Sequence, residues 1–160
     1  MGLSFASCRA VLCVAGLCLS AYALYIEIEK HRDASYRPLC DISEGVSCTK
    51  AFLSEYGRGF GIIGSLLGKD SMLNQPNAAF GMIFYCIFIF IGLTRSAFLE
   101  TVGLVLAIGS CIVSVYLSYV LYLLKDVCIV CMATYIMNFL LMLVTIARRN
   151  ELNGKTDKRE

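Results

Sequence analysis

The chain has 160 residues, is 58% apolar and carries a formal charge of only +2. Soluble domains are nearer ~45–50% apolar, so a mean hydropathy of +0.72 points to a membrane. No basic run is present to meet a phosphate backbone, which excludes nucleic acid as a partner.

Charge is absent from residues 10–26, 71–94, 101–124 and 127–147. A hydrocarbon core of ~30 Å takes ~20 apolar helical residues, with a range of ~17–25. The expected fold is therefore an all-α integral membrane protein. It is a four-transmembrane-helix bundle in a single domain, 1–160, with a cap loop between helices 1 and 2. Helix 1 is expected over about 10–28, the cap over about 29–76 and helix 2 over about 77–95. Helix 3 follows over about 100–124, helix 4 over about 127–147 and a tail over 148–160.

At the N-terminus, Ala21-Tyr22-Ala23 resembles a signal cleavage site and Arg9 a sparse basic flank. The apolar run continues through Leu24, Tyr25 and Ile26, so the segment reads as a retained helix. The cap then carries Cys40 and Cys48, followed by the apolar positions Phe52, Leu53, Tyr56 and Phe60. Three glycines within Gly57-Arg58-Gly59-Phe60-Gly61 oppose an α-helix there. The short apolar piece with Ile62, Ile63, Leu66 and Leu67 suits a lid resting at the membrane interface. Pro76 fits a first helical turn. Asn77 follows it at membrane depth, where an amide needs a partner and is a candidate ligand for substrate. Helix 3 presents Gly103, Ala107, Ser110, Ser114 and Ser118, a small-residue face suited to close helix packing.

Helix 4 opens with Cys128-Ile129-Val130-Cys131. Two thiols at this spacing close and reopen a disulfide, and unpaired N–H groups at a helix start stabilise a thiolate. At 100° per residue, Cys128, Cys131, Tyr135 and Asn138 share one stripe about 80° wide. Tyr135 lies a turn below Cys131, where its phenol can donate to the oxygen of a carbonyl or an opening epoxide. Helix parity puts this pair and the cap on the same side of the membrane, so Cys40 and Cys48 meet Cys128 and Cys131 at one surface. Arg148-Arg149 after helix 4 favours the opposite side as cytoplasmic. Disulfide exchange persists in oxidising compartments. The five other cysteines, Cys8, Cys13, Cys18, Cys86 and Cys111, read as small core hydrophobes. A four-thiolate zinc site has permissible spacing but would lock the redox chemistry, so no metal is expected. A tetraspanin-like scaffold would place its large loop between helices 3 and 4, not 1 and 2.

Five stretches in order identify a likeness: Leu39-Cys40-Asp41, Gly57-Arg58-Gly59-Phe60-Gly61, Leu73-Asn74-Gln75-Pro76-Asn77, Phe80-Gly81 with Ile83-Phe84-Tyr85, and Cys128-Ile129-Val130-Cys131 with Thr134-Tyr135. Over nearly its whole length the chain resembles the vertebrate vitamin K epoxide reductase family. Tyr56 departs from the pattern, standing where the family usually has Trp. The resemblance implies an endoplasmic reticulum membrane enzyme, multi-pass, with its active site on the luminal side. It would reduce vitamin K 2,3-epoxide to the quinone and then the hydroquinone, in support of γ-glutamyl carboxylation. It also implies that Cys131 faces the substrate and forms a disulfide with Cys128. Cys48 would exchange with Cys128, and Cys40 would accept electrons from a luminal thioredoxin-like oxidoreductase. Asn77 and Tyr135 would bond the substrate's oxygens. Phe52, Phe80, Phe84, Leu117, Leu121 and Val130 would line an apolar pocket that also takes warfarin-type inhibitors. Vitamin K is then a substrate arriving from membrane lipid, with no tightly bound cofactor. The alternative reading runs the same residues outward, as a quinone-dependent oxidant of luminal protein thiols.

Overall fold

The computed structural model describes residues 2–43, 45–94 and 96–157, with side chains for 5–43, 45–94, 96–151 and 154. The far ends of the expected second helix, at Arg95, and of the tail, at 158–160, lie outside the described residues. The described elements are helical: α1 (Gly2–Arg32), α2 (Cys48–Leu53), two 3₁₀ turns (Glu55–Gly57 and Gly59–Gly61), α3 (Ile63–Leu67), α4 (Asn77–Leu93), α5 (Ala97–Leu124) and α6 (Ile129–Asp157). Among the described residues there is no strand, and the two β-bridges are isolated.

Among the described residues, three stretches are long and apolar enough to cross a membrane: Phe5–Arg32, Ala97–Leu124 and Ile129–Glu151. The fourth apolar helix, α4, has 17 residues, about 25 Å at 1.5 Å per residue. Its N-cap is Pro76, whose missing N–H costs nothing there, so the helix opens on Asn77. Lys125 ends α5 by turning left-handed at φ 52, with its N–H donating back to the carbonyls of Leu121 and Tyr122. The link to α6 is short, so the two helices return antiparallel. No Pro or Gly interrupts residues 147–153, and α6 continues through the start of the segment expected as a tail.

Helix α1 packs against α4 and α6, and α5 packs against α6, whereas α4 and α5 meet only sparsely. The α1–α4 contact is close because Gly16 has no side chain: a Cβ there would run into the Tyr85 ring. Gly81 likewise leaves room for the Ser20 hydroxyl. One buried cluster gathers Cys13, Tyr85, Phe88, Ala107 and Leu141; a second gathers Ile26, Cys40, Cys48, Leu121, Cys128 and Val130.

The end of the bundle away from the cap is closed by charge. Arg9 Nη1 and Nη2 donate to the two Glu100 carboxylate oxygens at 2.8 and 2.9 Å. Arg148 Nε reaches Glu100 Oε1 at 3.0 Å, and its Nη2 donates to the Thr94 carbonyl at 3.1 Å. Arg9 is 1% exposed and Glu100 0%. Arg9 and Arg148, which look from the sequence like flanking charges, therefore fold inward. A carboxylate at this depth is tolerable only when paired and hydrogen-bonded. The cluster touches α1, α5, α6 and the C-terminal carbonyl end of α4, so it ties all four helices together.

Candidate active site

The cap is organised around Asp41. Its carboxylate accepts from Ser47 Oγ at 2.9 Å and from the Thr49 N–H at 3.0 Å. Burial pushes this carboxyl up, but the bonds from Thr49, Ser47 and the Cys48 backbone outweigh that and hold it below the usual aspartate range. Ser47 then caps α2 by accepting from the Lys50 N–H. These contacts fix the short loop closed by the Cys40–Cys48 disulfide.

Two backbone bonds sew the cap to the link between α5 and α6. The Val127 N–H donates to the Gly45 carbonyl at 3.0 Å, and the Ser47 N–H donates to the Val127 carbonyl at 3.1 Å. Cys48 and Cys128, each one residue beyond such a bond, are both 0% exposed and share one buried cluster with Cys40. Cys128 and Cys131 form the second disulfide. Cys128 also sits as the cap of α6, its sulfur accepting from the Cys131 N–H at 3.1 Å. Such a contact favours a thiolate on Cys128 when the disulfide opens. The ligand atoms of Cys40, Asp41 and Cys48 lie within 4.8 Å of one another, but with both sulfurs in a disulfide this trio offers no thiolate to a metal.

Below the cap lies a cavity of about 480 Å³, within the ~300–1,000 Å³ range of small-molecule sites. It occupies the space left where α4 and α5 diverge. Cys131 lines it and Cys128 does not, so the two sulfurs of the C-x-x-C pair face different surroundings. Phe52, Asn77, Phe80, Phe84, Leu117, Leu121, Val130 and Tyr135 all line the same cavity. The Tyr135 hydroxyl has no hydrogen-bond partner among the described residues, which leaves it available to a ligand.

Asn77 is already engaged. Its Oδ1 accepts from the Phe60 N–H at 2.8 Å and its Nδ2 donates to the Tyr56 carbonyl at 2.6 Å. Gly59, Phe60 and Gly61 turn left-handed in succession, at φ 52, 58 and 73, and Gly61 lies so close to the Tyr56 ring that a Cβ would not fit. Asn77 thus holds a strained roof over the cavity and keeps one amide N–H to spare.

Several lining residues escape sequence reading. Glu27, 3% exposed, is paired with Arg58 Nε at 2.9 Å and touches the cavity. Tyr85 donates to Asn138 Oδ1 at 2.8 Å, and Asn138 Nδ2 donates to Ser114 Oγ at 3.0 Å. This chain forms a polar patch in the cavity wall. The small-residue face of α5 packs closely at Gly103 and Ala107, as expected, while Ser110 and Ser114 of the same face also border the cavity. Asn138 had a signal, its place on the cysteine stripe, and Tyr85 stood in one of the five motifs; the partners of Tyr85 and Glu27 had none, because they lie 53 and 31 positions away.

Comparison with known proteins places this geometry. The vitamin K epoxide reductase family profile matches residues 8–146. The mouse (Mus musculus) protein named vitamin K epoxide reductase complex subunit 1 is 42% identical over 148 residues, covering 92% of each chain. Its rat (Rattus norvegicus) counterpart is 41% identical over 141 residues, covering 88% of each.

Proposed function

The chain belongs to the vitamin K epoxide reductase family, and we propose that it reduces vitamin K 2,3-epoxide to the quinone and the quinone to the hydroquinone, taking electrons from Cys128 and Cys131. The observation that carries this reading is the division of the C-x-x-C pair: Cys131 opens onto an apolar cavity beside Tyr135 while Cys128 is buried against the cap cysteines.

In the dithiol form, the Cys131 thiolate attacks the substrate ring. Negative charge then develops on the substrate's oxygen. Tyr135 donates a hydrogen bond to that oxygen, and the spare Asn77 N–H serves the opposite one. A fixed donor in a water-poor site stabilises such charge far more than it would in water. Cys128 next attacks the Cys131 sulfur, which closes the disulfide and passes two electrons to the substrate. Epoxide and two thiols give quinone, water and a disulfide; quinone and two thiols give hydroquinone and a disulfide. The phenylalanines and leucines around the ring supply affinity for a lipid-soluble substrate.

Electrons return through the cap. A thioredoxin-like dithiol reduces Cys40–Cys48, Cys48 attacks Cys128, and Cys40 resolves the mixed disulfide. The backbone bonds from Gly45 and Ser47 to Val127 support this step because they hold the two disulfides against each other. Four membrane spans, an endoplasmic reticulum location with the cap luminal, support of γ-glutamyl carboxylation, and competition by warfarin-type inhibitors complete the reading. Helix parity and the need for an oxidising space support the orientation.

The test is turnover of vitamin K epoxide by the purified chain with dithiothreitol or reduced thioredoxin. Cys131→Ala abolishes both, and full activity in that variant overturns the assignment. Cys40→Ala keeps dithiothreitol-driven turnover and loses the thioredoxin-driven one; equal losses contradict a relay. Net disulfide gain in a reduced client protein at the expense of quinone would instead favour the reading of the chain as a quinone-dependent oxidant of luminal thiols, with electrons still running from thiol to quinone.

A further inference from the structure

The cap carries its disulfide on a turn. The Asp41 N–H donates back to the Pro38 carbonyl at 3.1 Å, so Leu39 and Cys40 are the two central residues of a β-turn. Pro38 and Cys40 are buried, whereas Leu39 is 92% exposed and Ile42, one residue past the turn, is 66% exposed. Most other exposed large apolar side chains lie on the long helices, where a bilayer covers them. Leu39 and Ile42 are set among polar groups instead. An open polar hollow beside the turn is lined by Arg37, Asp41, Ser43, Ser47 and Lys50. Asp41 turns its carboxylate to Ser47 and Thr49, and the exposed charges of the hollow, Arg37 and Lys50, are both positive. Arg37 makes no ion pair among the described residues.

Three observations say what covers this patch. The same turn bears the disulfide that a thiol has to reach from water, and lipid lying over Leu39 would seal it. The two sulfurs are unequal, Cys40 being 8% exposed and Cys48 0%, so an attacking sulfur finds an edge of Cys40 and none of Cys48. The N–H and C=O groups of Leu39 and Cys40 make no backbone hydrogen bond among the described residues, which leaves this stretch free to pair with another chain. Exposed apolar side chains beside unpaired backbone and cations suit a protein surface.

We infer that Leu39, Ile42 and Arg37 form the docking surface for the reductant, a dithiol protein whose reactive cysteine sits in an apolar rim flanked by carboxylates. The inference rests on the reading of Cys40–Cys48 as the entry point for electrons, and it names what the partner grips. The rim covers Leu39 and Ile42, its acid meets Arg37, and the partner's thiolate comes to lie against the Cys40 sulfur. A new S–S bond forms to Cys40, the Cys40–Cys48 bond breaks, and Cys48 takes the electron pair as a thiolate inside the buried cluster that holds Cys128. The partner's second thiol then attacks its own mixed-disulfide sulfur and releases Cys40. The partner's two thiol protons end on Cys40 and Cys48. One dithiol has become a disulfide, and the cap disulfide has become two thiols.

The experiment is steady-state turnover of vitamin K epoxide by the full chain, with either dithiothreitol or a reduced thioredoxin of net negative charge as the sole reductant. Leu39→Asp is expected to cut thioredoxin-driven kcat/KM about 10- to 100-fold, the scale of one leucine lost from an interface, through KM rather than kcat. Arg37→Glu is expected to cut it about tenfold at low salt, and the deficit should close at about 1 M salt, where charges are screened within ~3 Å. Both variants keep dithiothreitol-driven turnover, because so small a thiol needs no docking surface; that turnover also shows that they fold. Unchanged thioredoxin-driven turnover in Leu39→Asp overturns the inference. So does an equal loss with both reductants, which a structural role or a lipid seat for Leu39 would produce. A thioredoxin lacking its second cysteine stops at the mixed disulfide, and mass spectrometry of the trapped wild-type complex should find the bond on Cys40; a bond on Cys48 overturns the inference as well. Failure of the parent reading looks different: Cys40→Ala would then keep thioredoxin-driven turnover whatever the result at Leu39.

Discussion

Replacing Asn77 by Ala separates its hold on the roof from any contact with substrate. The change removes the bonds at 2.8 Å to the Phe60 N–H and at 2.6 Å to the Tyr56 carbonyl, each a net ~1 kcal/mol. The left-handed conformation of Phe60, φ 58, costs a non-glycine residue ~1–2 kcal/mol in both proteins and cancels between them. The open roof therefore gains about 2 kcal/mol relative to the closed one, roughly 30-fold at 1.4 kcal/mol per decade. Amide hydrogen exchange over residues 56–61, read by mass spectrometry, should rise accordingly, and KM for the epoxide should rise more than kcat falls. Asn77→Asp, which keeps the acceptor for Phe60 but sets a carboxylate against the Tyr56 carbonyl, should fall between. A collapse of turnover with unchanged exchange at 56–61 would refute the roof-holding role and leave Asn77 a substrate ligand alone.

Other consequences follow from the packing. Glu100→Gln leaves Arg9 and Arg148 facing each other in a buried site and should cost ~3–5 kcal/mol. Thermal unfolding in detergent checks this, and a loss below about 1 kcal/mol would mean the three charges do not act as a clamp. Gly16→Ala drives a methyl group into the Tyr85 ring and should destabilise by ~1–3 kcal/mol. Tyr85→Leu should relieve part of that in a double-mutant cycle, and strict additivity would disprove the contact. Asp41 has its carboxyl pKa depressed in the folded cap, so its contribution is complete above the unfolded value of ~3.9 and is lost as pH falls through the lower folded value. Protection of the Thr49 amide, corrected for intrinsic exchange, should hold from pH 7 to about 4 and fail below. Loss beginning near neutrality would contradict this.

Local sequence determined how the chain partitions between water and lipid. Charge-free runs of about helix-spanning length need no tertiary information, because each residue's transfer cost is its own. The same holds for the stripe of Cys128, Cys131, Tyr135 and Asn138, since helical phase is a local property. Several residues of the five motifs, Asn77, Phe80, Phe84, Val130 and Tyr135 among them, line the cavity, whereas Phe52, Leu117 and Leu121 line it from outside those motifs. Tertiary structure decided what those residues are free to do. Arg9 and Glu100 are 91 positions apart, and their pairing exists only once α1 and α5 are packed, so in the sequence Arg9 reads only as a basic flank. Asn77 looks available until the Gly59–Gly61 turn folds back onto it. Asp126 looks like an ordinary polar residue in a short turn until Gly45 and Ser47 seize Val127 and bury its neighbours. Hydrophobicity is additive along a chain and legible from it; a polar group's partner is a fact about the space around it, and only the folded bundle supplies that space.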